Sequence, residues 1–436
     1  MASLLRQKQM NIHDQSFAAY QNFLRFSREV KIILLHPQSR WRSVIMARLL
    51  ADSDLNSFYY ALDVDDIKLG NFLPSLMATL SRQNVIFGRQ MNVLPPNVFD
   101  DPYKHMEVIL RTFIAELSEL GDREIWLVLD EFDRADLADD VKRFVERLSR
   151  QAPARCKIVL NGRSLPRMPW LSMIANRQAV IIRDGQIVRK NIYGMPNAAD
   201  ASLKVLSLGP GYVFSDDYLI DNWEGHLPRL LLFFAMDRPE VTRNQICETF
   251  WPKLDIDPAV NVFHVTKRRL HKAIGMDVLA HDGKYYRVDR DTPFYFDAFE
   301  FVEALLEGRH GKPAEPFALW QRVAKLYRGP FLQGHDEGWI LERREAYQNA
   351  YVEALENIAA IWQARESFEL ALHTLIRALE TDFRREEIHL RLLRLYVQLG
   401  RRAEAVEHYR TLERWSKTNK TTLSGQVRQL FSDITA

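Results

Sequence analysis

The chain is poor in cysteine: only Cys156 and Cys247 occur in 436 residues. Their distance apart in sequence argues against a disulfide framework or a cysteine metal site, and the scarcity fits a reducing cytoplasm, the expected location. No run of about 18 apolar residues occurs, so neither a membrane span nor a membrane partner is expected. The first residues, MASLLRQKQMNIHDQ, lack the apolar centre of a signal peptide and read as an amphipathic or loose lead-in. Net charge is scarce too. At +2, any basic surface must be local. There is no H-E-x-x-H, no Cys–His spacing and no G-x-S-x-G, so no metal site, no catalytic residue and no enzymatic activity are expected.

What is present is an ordinary globular balance, 47% hydrophobic and 27% charged, which excludes wholesale disorder. The length suits two to four domains. The patterning divides the chain into an α/β region over 1–190, a linker over 191–202, an α+β region over 203–290 and an all-α region over 291–436.

In the first region, KIILL (31–35), SFYYALD (57–63), EIWLVLD (124–130), CKIVLNG (156–162) and AVIIR (179–183) read as buried strands. They alternate with helical patterns over Ser43–Leu50, Leu69–Val85, Tyr103–Leu120 and Leu137–Arg150, which implies a mostly parallel sheet covered on both faces. The polar stretch that follows holds Gly, Pro and Asn, as a connection does.

In the next region, LKVLSLGPGYVFSDDYLI reads as short strands about a Gly-Pro-Gly turn. Helices are expected over Pro228–Met236, Arg243–Phe250 and Pro258–Ile274, the middle one capped by Thr242 and the last opened by Asp257-Pro258. VLAHDGKYYRV reads as a hairpin turning on Asp282-Gly283. The last region carries a 34-residue repeat, in which Glu366, Ala371 and Ala378 recur as Gly400, Ala405 and Leu412.

The segment NVFHVTKRRLHKAIG (261–275) concentrates cationic and imidazole side chains. On a helix, Phe263, Leu270, Ala273 and Ile274 turn towards one side, flanked by Val262 and Val265. Asn261, His264, Arg268 and His271 share another face, edged by Lys267, Arg269 and Lys272. Such a helix fits the DNA major groove, where Arg reads guanine, Asn reads adenine and rim cations hold phosphates. Lys284, Tyr285 and Arg287 on the hairpin extend the candidate surface.

Residues 203–290 resemble the OmpR-type winged-helix domain of bacterial regulators, in the form found in SARP-type activators. The motifs are LKVLSLGPGYV, NWEGHLPRLLLFFAMDRPEVTRNQICETFWP, AVNVFHVTKRRLHKAIG and GKYYRV. FDAFEFVEALLEG through LYRGPFLQGHDEGWILERREAY to the repeat resembles the bacterial transcriptional activator domain, a tetratricopeptide-like bundle. The resemblance implies double-stranded DNA as a partner, with RNA polymerase or another regulator and a second copy of the chain as protein partners. It also exposes a departure: His264 and His271 stand where such helices often carry Arg, and neutral His is a weaker donor to phosphate and base.

LLHPQSRWRSVIMARLL stands where a phosphate loop, G-x-x-x-x-G-K-[ST], would open a helix. The two Gly positions hold His36 and Trp41 and the Lys position holds Arg42; only Ser43 fits. Asp130 and Glu131 end the strand EIWLVLD as a Walker B pair does. With LNGRSLPRMPW (160–170), residues 25–183 resemble the ATPase core of the STAND class in layout. This implies a degenerate P-loop-like domain acting as a sensor or restraint. A nucleotide is the one cofactor left open, through Arg40, Arg42, Ser43, Asp130 and Glu131. The alternative reading is a nucleotide-driven switch that retains hydrolysis.

Overall fold

The structure is a computed structural model that describes residues 2–102, 104–136, 138–195, 197–289 and 293–435, with side chains from Ile12 onward. Tyr103 and Leu137, expected to begin two helices, lie outside the described residues, as do residues 1, 290, 291 and 436 of the expected divisions. The chain is a multidomain mixture of α/β and helical parts. It divides into two compact units, residues 1–205 with 212–296, and residues 206–211 with 297–436.

The first unit begins with α1 (Ala2–Ser27) and continues through β1 (Ile32–Leu35), α2 (Arg42–Ala51), β2 (Asn56–Ala61), α3 (Leu69–Gln83), α4 (Asn97–Asp100), α5 (Met106–Glu119), β3 (Ile125–Asp130), α6 (Asp139–Gln151), β4 (Cys156–Asn161), α7 (Trp170–Ala175), β5 (Ala179–Arg183) and β6 (Gln186–Ile187). The lead-in is therefore helical, not loose; Ala19, Tyr20 and Phe23 of α1 are buried in a core shared with β1 and α2. The strands form one sheet in the order β2-β3-β4-β1-β5-β6. β2, β3, β4, β1 and β5 are mutually parallel, and β6 returns antiparallel on β5. Every residue of β1 is buried, as a strand covered on both faces requires.

The stretch 191–202 is not a free connection. Ile192, Tyr193, Met195 and Ala201 are buried, and the Tyr193 hydroxyl donates to the Asp237 carbonyl at 2.7 Å. Its Asn, Asp and Gly conceal these packed apolar side chains.

The rest of this unit comprises β7 (Leu203–Leu206), β8 (Tyr212–Ser215), β9 (Tyr218–Leu219), α8 (Leu227–Met236), β10 (Val241–Thr242), α9 (Arg243–Phe250), α10 (Ile256–Ile274), β11 (Leu279–Asp282), β12 (Tyr285–Val288) and β13 (Phe294–Phe296). One sheet runs β13-β7-β8-β9 and another β10-β12-β11. α10 packs on α8 and α9, and α8 on β12. Phe263 meets Tyr286 edge-on, ring centroids 4.9 Å apart. α10 starts two residues before Pro258, which occupies the first turn, where its missing N–H is no loss. The hairpin also differs from expectation. Asp282 pairs with Tyr285, so the two-residue turn is Gly283-Lys284 and only Gly283 has positive φ, at 59°. A glycine at the first turn position is the II′ arrangement, which leaves Asp282 in the strand.

In the second unit, α11 (Asp297–His310), α12 (Pro316–Leu326), α13 (Gly338–Ala364), α14 (Phe368–Thr381), α15 (Glu386–Gln398), α16 (Arg402–Thr418) and α17 (Gly425–Thr435) each pack on the next. The Gly-Pro-Gly segment belongs here, because the fully buried Asp297 carboxylate accepts from Ser207 N and Oγ, both at 2.8 Å, and from Leu208 N at 3.0 Å, and pairs with Arg328. The 34-residue period is physical. α14 and α16 start 34 residues apart, with Ala371 and Ala405 both fully buried. Glu366 and Gly400, before each start, have φ of 56° and 70°.

That left-handed conformation strains Glu366 but not Gly400. Glu366→Gly is expected to stabilise the helical unit by about 0.5–1 kcal/mol, and Gly400→Ala to destabilise it by about 1 kcal/mol. Denaturant midpoints measured at unchanged m check both; a lower midpoint for Glu366→Gly contradicts the strain argument.

Candidate nucleic-acid interface and the crevice of the parallel sheet

The helix α10 is amphipathic as its spacing requires: Ala259, Phe263, Thr266, Leu270 and Ile274 are buried. Asn261, His264 and Arg268 lie on the opposite, exposed face. Among the described residues, Asn261, Arg268 and the exposed Lys284 of the hairpin turn hold no ion pair or side-chain hydrogen bond. Val262 and Val265 are exposed beside them, at 37% and 40%. His264 and Lys284 line a cleft of about 630 Å³ together with Arg243, Asn244 and His281. Sequence reasoning missed these last three. The signal for Arg243 and Asn244 was available, since Thr242 caps α9 and opens its N-terminus towards the same side: the Thr242 hydroxyl accepts from Gln245 N at 3.0 Å.

The remaining members of the expected set are engaged within the protein. His271 is half-buried; its Nδ1 pairs with Asp277 and its Nε2 accepts from Leu279 N at 3.4 Å. It joins the end of α10 to the hairpin and does not share the exposed face, because the C-terminal turn of the helix runs under the β11 entry. Arg269 and Lys272 both reach Glu224, at 3.1 and 2.6 Å. Lys272, by hydrogen bond and charge, followed by Arg269 and Arg268, holds the Glu224 carboxyl below the usual range. Lys267 lies over the Tyr286 ring at 5.4 Å, and Arg287 pairs with Asp282 at 3.2 Å.

Tyr285 is half-covered. The Arg167 guanidinium, from the segment after β4, stands 4.7 Å over its ring. Arg167 is itself buried and donates to Asp139 Oδ1 at 2.9 Å. The other Asp139 oxygen accepts from the Thr242 hydroxyl. Arg167 Nε and Nη2 have no hydrogen-bond acceptor, so the ring face offsets part of their desolvation. A second pair, Arg143 with Glu248 at 4.0 Å, lies alongside.

In the parallel sheet, the chain leaves β1 towards β2 on one side and reaches β5 on the other, so the crevice beyond the C-terminal ends of β1 and β4 is the switch point where open α/β sheets bind ligands. Here the protein's own groups pair with one another. Arg42 donates to the Gly162 carbonyl. Asp130 accepts from Tyr59 Oη at 2.8 Å, Asn161 Nδ2 at 2.6 Å and Glu131 N at 2.7 Å. Glu131 has φ of 50° and pairs with Arg134. Asp184, from the turn between β5 and β6, accepts from Ser39 Oγ at 3.1 Å and Arg40 N at 2.6 Å in the β1–α2 loop, and pairs with the Arg40 side chain at 3.5 Å. Burial raises the Asp184 pKa, but the Arg40 N–H, the Ser39 hydroxyl and the Arg40 charge outweigh it and hold the carboxyl below its usual value. Ser43 is exposed at the start of α2. The expected nucleotide residues Arg40, Arg42, Asp130 and Glu131 thus each hold contacts within the protein. Among the described residues no cluster of metal ligands occurs, and no helix is long and apolar enough to cross a membrane.

Residues 296–434 match the family model of the bacterial transcriptional activator domain, as the motifs of that stretch imply. The chain is similar to the solved structure of Mycobacterium tuberculosis EmbR in complex with a low-affinity phosphopeptide, at 20% identity over 54% of this chain and 65% of that one, with a TM-score of 0.45. It is also similar to a STAND protein with a tetratricopeptide repeat sensor from Pyrococcus horikoshii, at 12% identity over 94% of this chain and 65% of that one, with a TM-score of 0.23. The chain thus spans slightly less than two thirds of either. No curated relative matches it.

Burial lowers the His271 pKa, against the raising effect of Asp277. A depressed imidazole pKa stabilises the fold above its unfolded value of about 6.5, and the contribution is lost as pH falls through the lower folded value. NMR titration of His271 is expected to show a midpoint below about 6.5, with the proton on Nδ1 in the neutral form; a midpoint above that value removes the junction role.

Proposed function

We propose that this chain is a DNA-binding transcriptional regulator in which α8, α9, α10 and the β11–β12 hairpin act as a winged helix. The observation that carries the reading is the row Asn261, His264 and Arg268, exposed on one face of α10 beside Lys284 at the hairpin turn. In a major groove, Arg268 would hydrogen-bond guanine, Asn261 adenine, and the exposed Val262 and Val265 would meet thymine methyls. Lys284 and Arg243 would hold phosphates, and the α9 N-terminus adds its own N–H groups. The activator domain, read as tetratricopeptide-like repeats, serves contacts with a second copy, RNA polymerase or another regulator.

The α/β region, read as a degenerate P-loop domain, acts as a restraint in this proposal and not as an enzyme. Its Asp139 carboxylate sits on the Thr242 hydroxyl at the N-terminus of α9, the kind of position a DNA phosphate takes. Arg167 covers Tyr285 of the wing. Loss of glycine at His36 and Trp41 and the internal partners of Asp130 argue against ATP turnover.

Two measurements test this. In anisotropy titrations with an operator duplex, Arg268→Ala is expected to lose about 1–3 kcal/mol of sequence-specific affinity, and Lys284→Ala to weaken all sequences alike and reduce the salt slope by about one. Asp139→Ala is expected to raise affinity for any duplex. Absence of salt-sensitive duplex binding by both the parent chain and Asp139→Ala would refute the reading. In a radiolabelled-ATP assay, no Mg²⁺-dependent turnover is expected. Turnover abolished by Asp130→Asn would favour a nucleotide-driven switch instead.

A further inference from the structure

Between α12 and α14 lies a cleft of about 740 Å³. Both helices pack on α13, which floors the cleft, and neither packs extensively on the other. The floor is apolar: Leu355 and Ile358 are buried and Trp362 is half-buried. Leu370 on the α14 wall is 48% exposed. The walls carry Lys325 from α12, and His373 and Arg377 from α14, with Arg322 already paired to Glu300. No carboxylate lines the cleft among the described residues. Lys325 and Arg377 hold no ion pair among the described residues; Arg377 rests over the Tyr351 ring, 5.5 Å away.

A groove with apolar floor and cationic walls on both sides matches one chemistry. We propose that it docks an acidic amphipathic segment of a partner protein, inserting leucine-like side chains over Ile358 and Trp362 and placing carboxylates against Lys325 and Arg377. This deepens the protein-contact role proposed above for the helical unit, and rests on it. A groove between two helices above a third suits helix-in-groove docking, and cations on opposite walls favour a ligand that carries several separated carboxylates. Like-charge contact on both walls would exclude a basic segment, so charge sets the specificity.

The test uses the full chain and a labelled synthetic helix of about four turns, with leucine on one face and glutamate on the other. Saturable binding that weakens with salt is expected. Replacing its glutamates by lysine, or its leucines by serine, is expected to abolish binding. Lys325→Glu is expected to weaken binding about threefold, and Lys325→Glu with Arg377→Glu about tenfold or more. Lys325 is exposed, so the single variant keeps the fold, and thermal melting checks the double one. Duplex affinity is titrated separately and is expected to be unchanged in both variants. Equal binding of the lysine peptide, equal affinity of the Lys325→Glu protein, or no saturable binding at low salt overturns the docking proposal. Failure of duplex binding with peptide binding intact instead overturns the regulatory reading and leaves the groove standing.

Discussion

Asp139 ties the α/β region to the helix–hairpin region through both of its carboxylate oxygens. One oxygen takes the buried Arg167 and the other takes the Thr242 hydroxyl. A buried guanidinium deprived of its carboxylate costs several kcal/mol, so Arg167 holds Asp139 in place, and Asp139 in turn fixes the cap of α9. The same guanidinium covers Tyr285. Two groups at the edge of the candidate interface, the Thr242 cap and the Tyr285 ring, therefore depend on one ion pair, although they lie far apart in sequence. On the proposed reading, release of that pair is what uncovers the wing and the α9 N-terminus together.

On the proposed reading, the crevice of the parallel sheet is not a nucleotide site. Such sites keep donors and carboxylates poised but unspent. Here Asp130 accepts three hydrogen bonds, Arg42 is spent on a backbone carbonyl, and the Asp184 carboxylate takes the Ser39 hydroxyl and the Arg40 N–H. Asp184 and Gly185, both at positive φ, form the tight turn between β5 and β6 that brings this carboxylate to the loop. Asp184 thus supplies this loop with an internal anion, paired with Arg40.

The parts of this architecture that periodicity governs were legible in the sequence. The five parallel strands, α9 with its Thr242 cap, and the 34-residue repeat stand where apolar spacing places them, because local preference and burial agree. What escaped were partners brought together from far apart. The polar composition of 191–202 hid four buried side chains. The Asp-Gly pair suggested a turn, but one shift of register makes Gly283-Lys284 the turn and leaves Asp282 to pair with Arg287. The helical wheel placed His271 with Asn261 and Arg268, yet a wheel contains no hairpin, and the hairpin entry covers that imidazole. Glu224, which takes both Arg269 and Lys272, lies in a loop with no periodic signal.

These internal pairs reshape the electrostatics of the candidate interface. The segment 261–275 carries two Arg and two Lys, but Glu224 takes two of these cations and Lys267 lies against the Tyr286 ring. Arg268 remains on the exposed face of the helix, joined by Lys284 from the turn and Arg243 from α9. Nonspecific affinity for a duplex rises with the number of phosphates neutralised, each adding about 0.9 to the salt slope. On the proposed reading, so few cations would give a single chain a weak hold, and the near-neutral total charge would add little long-range steering. Two winged helices on adjacent half-sites would double the contacts on one duplex and convert weak single-site affinity into avidity. On the proposed reading, the pairing of cations with Glu224 fits a regulator whose grip on DNA would come from assembly through the helical unit as well as from the recognition face.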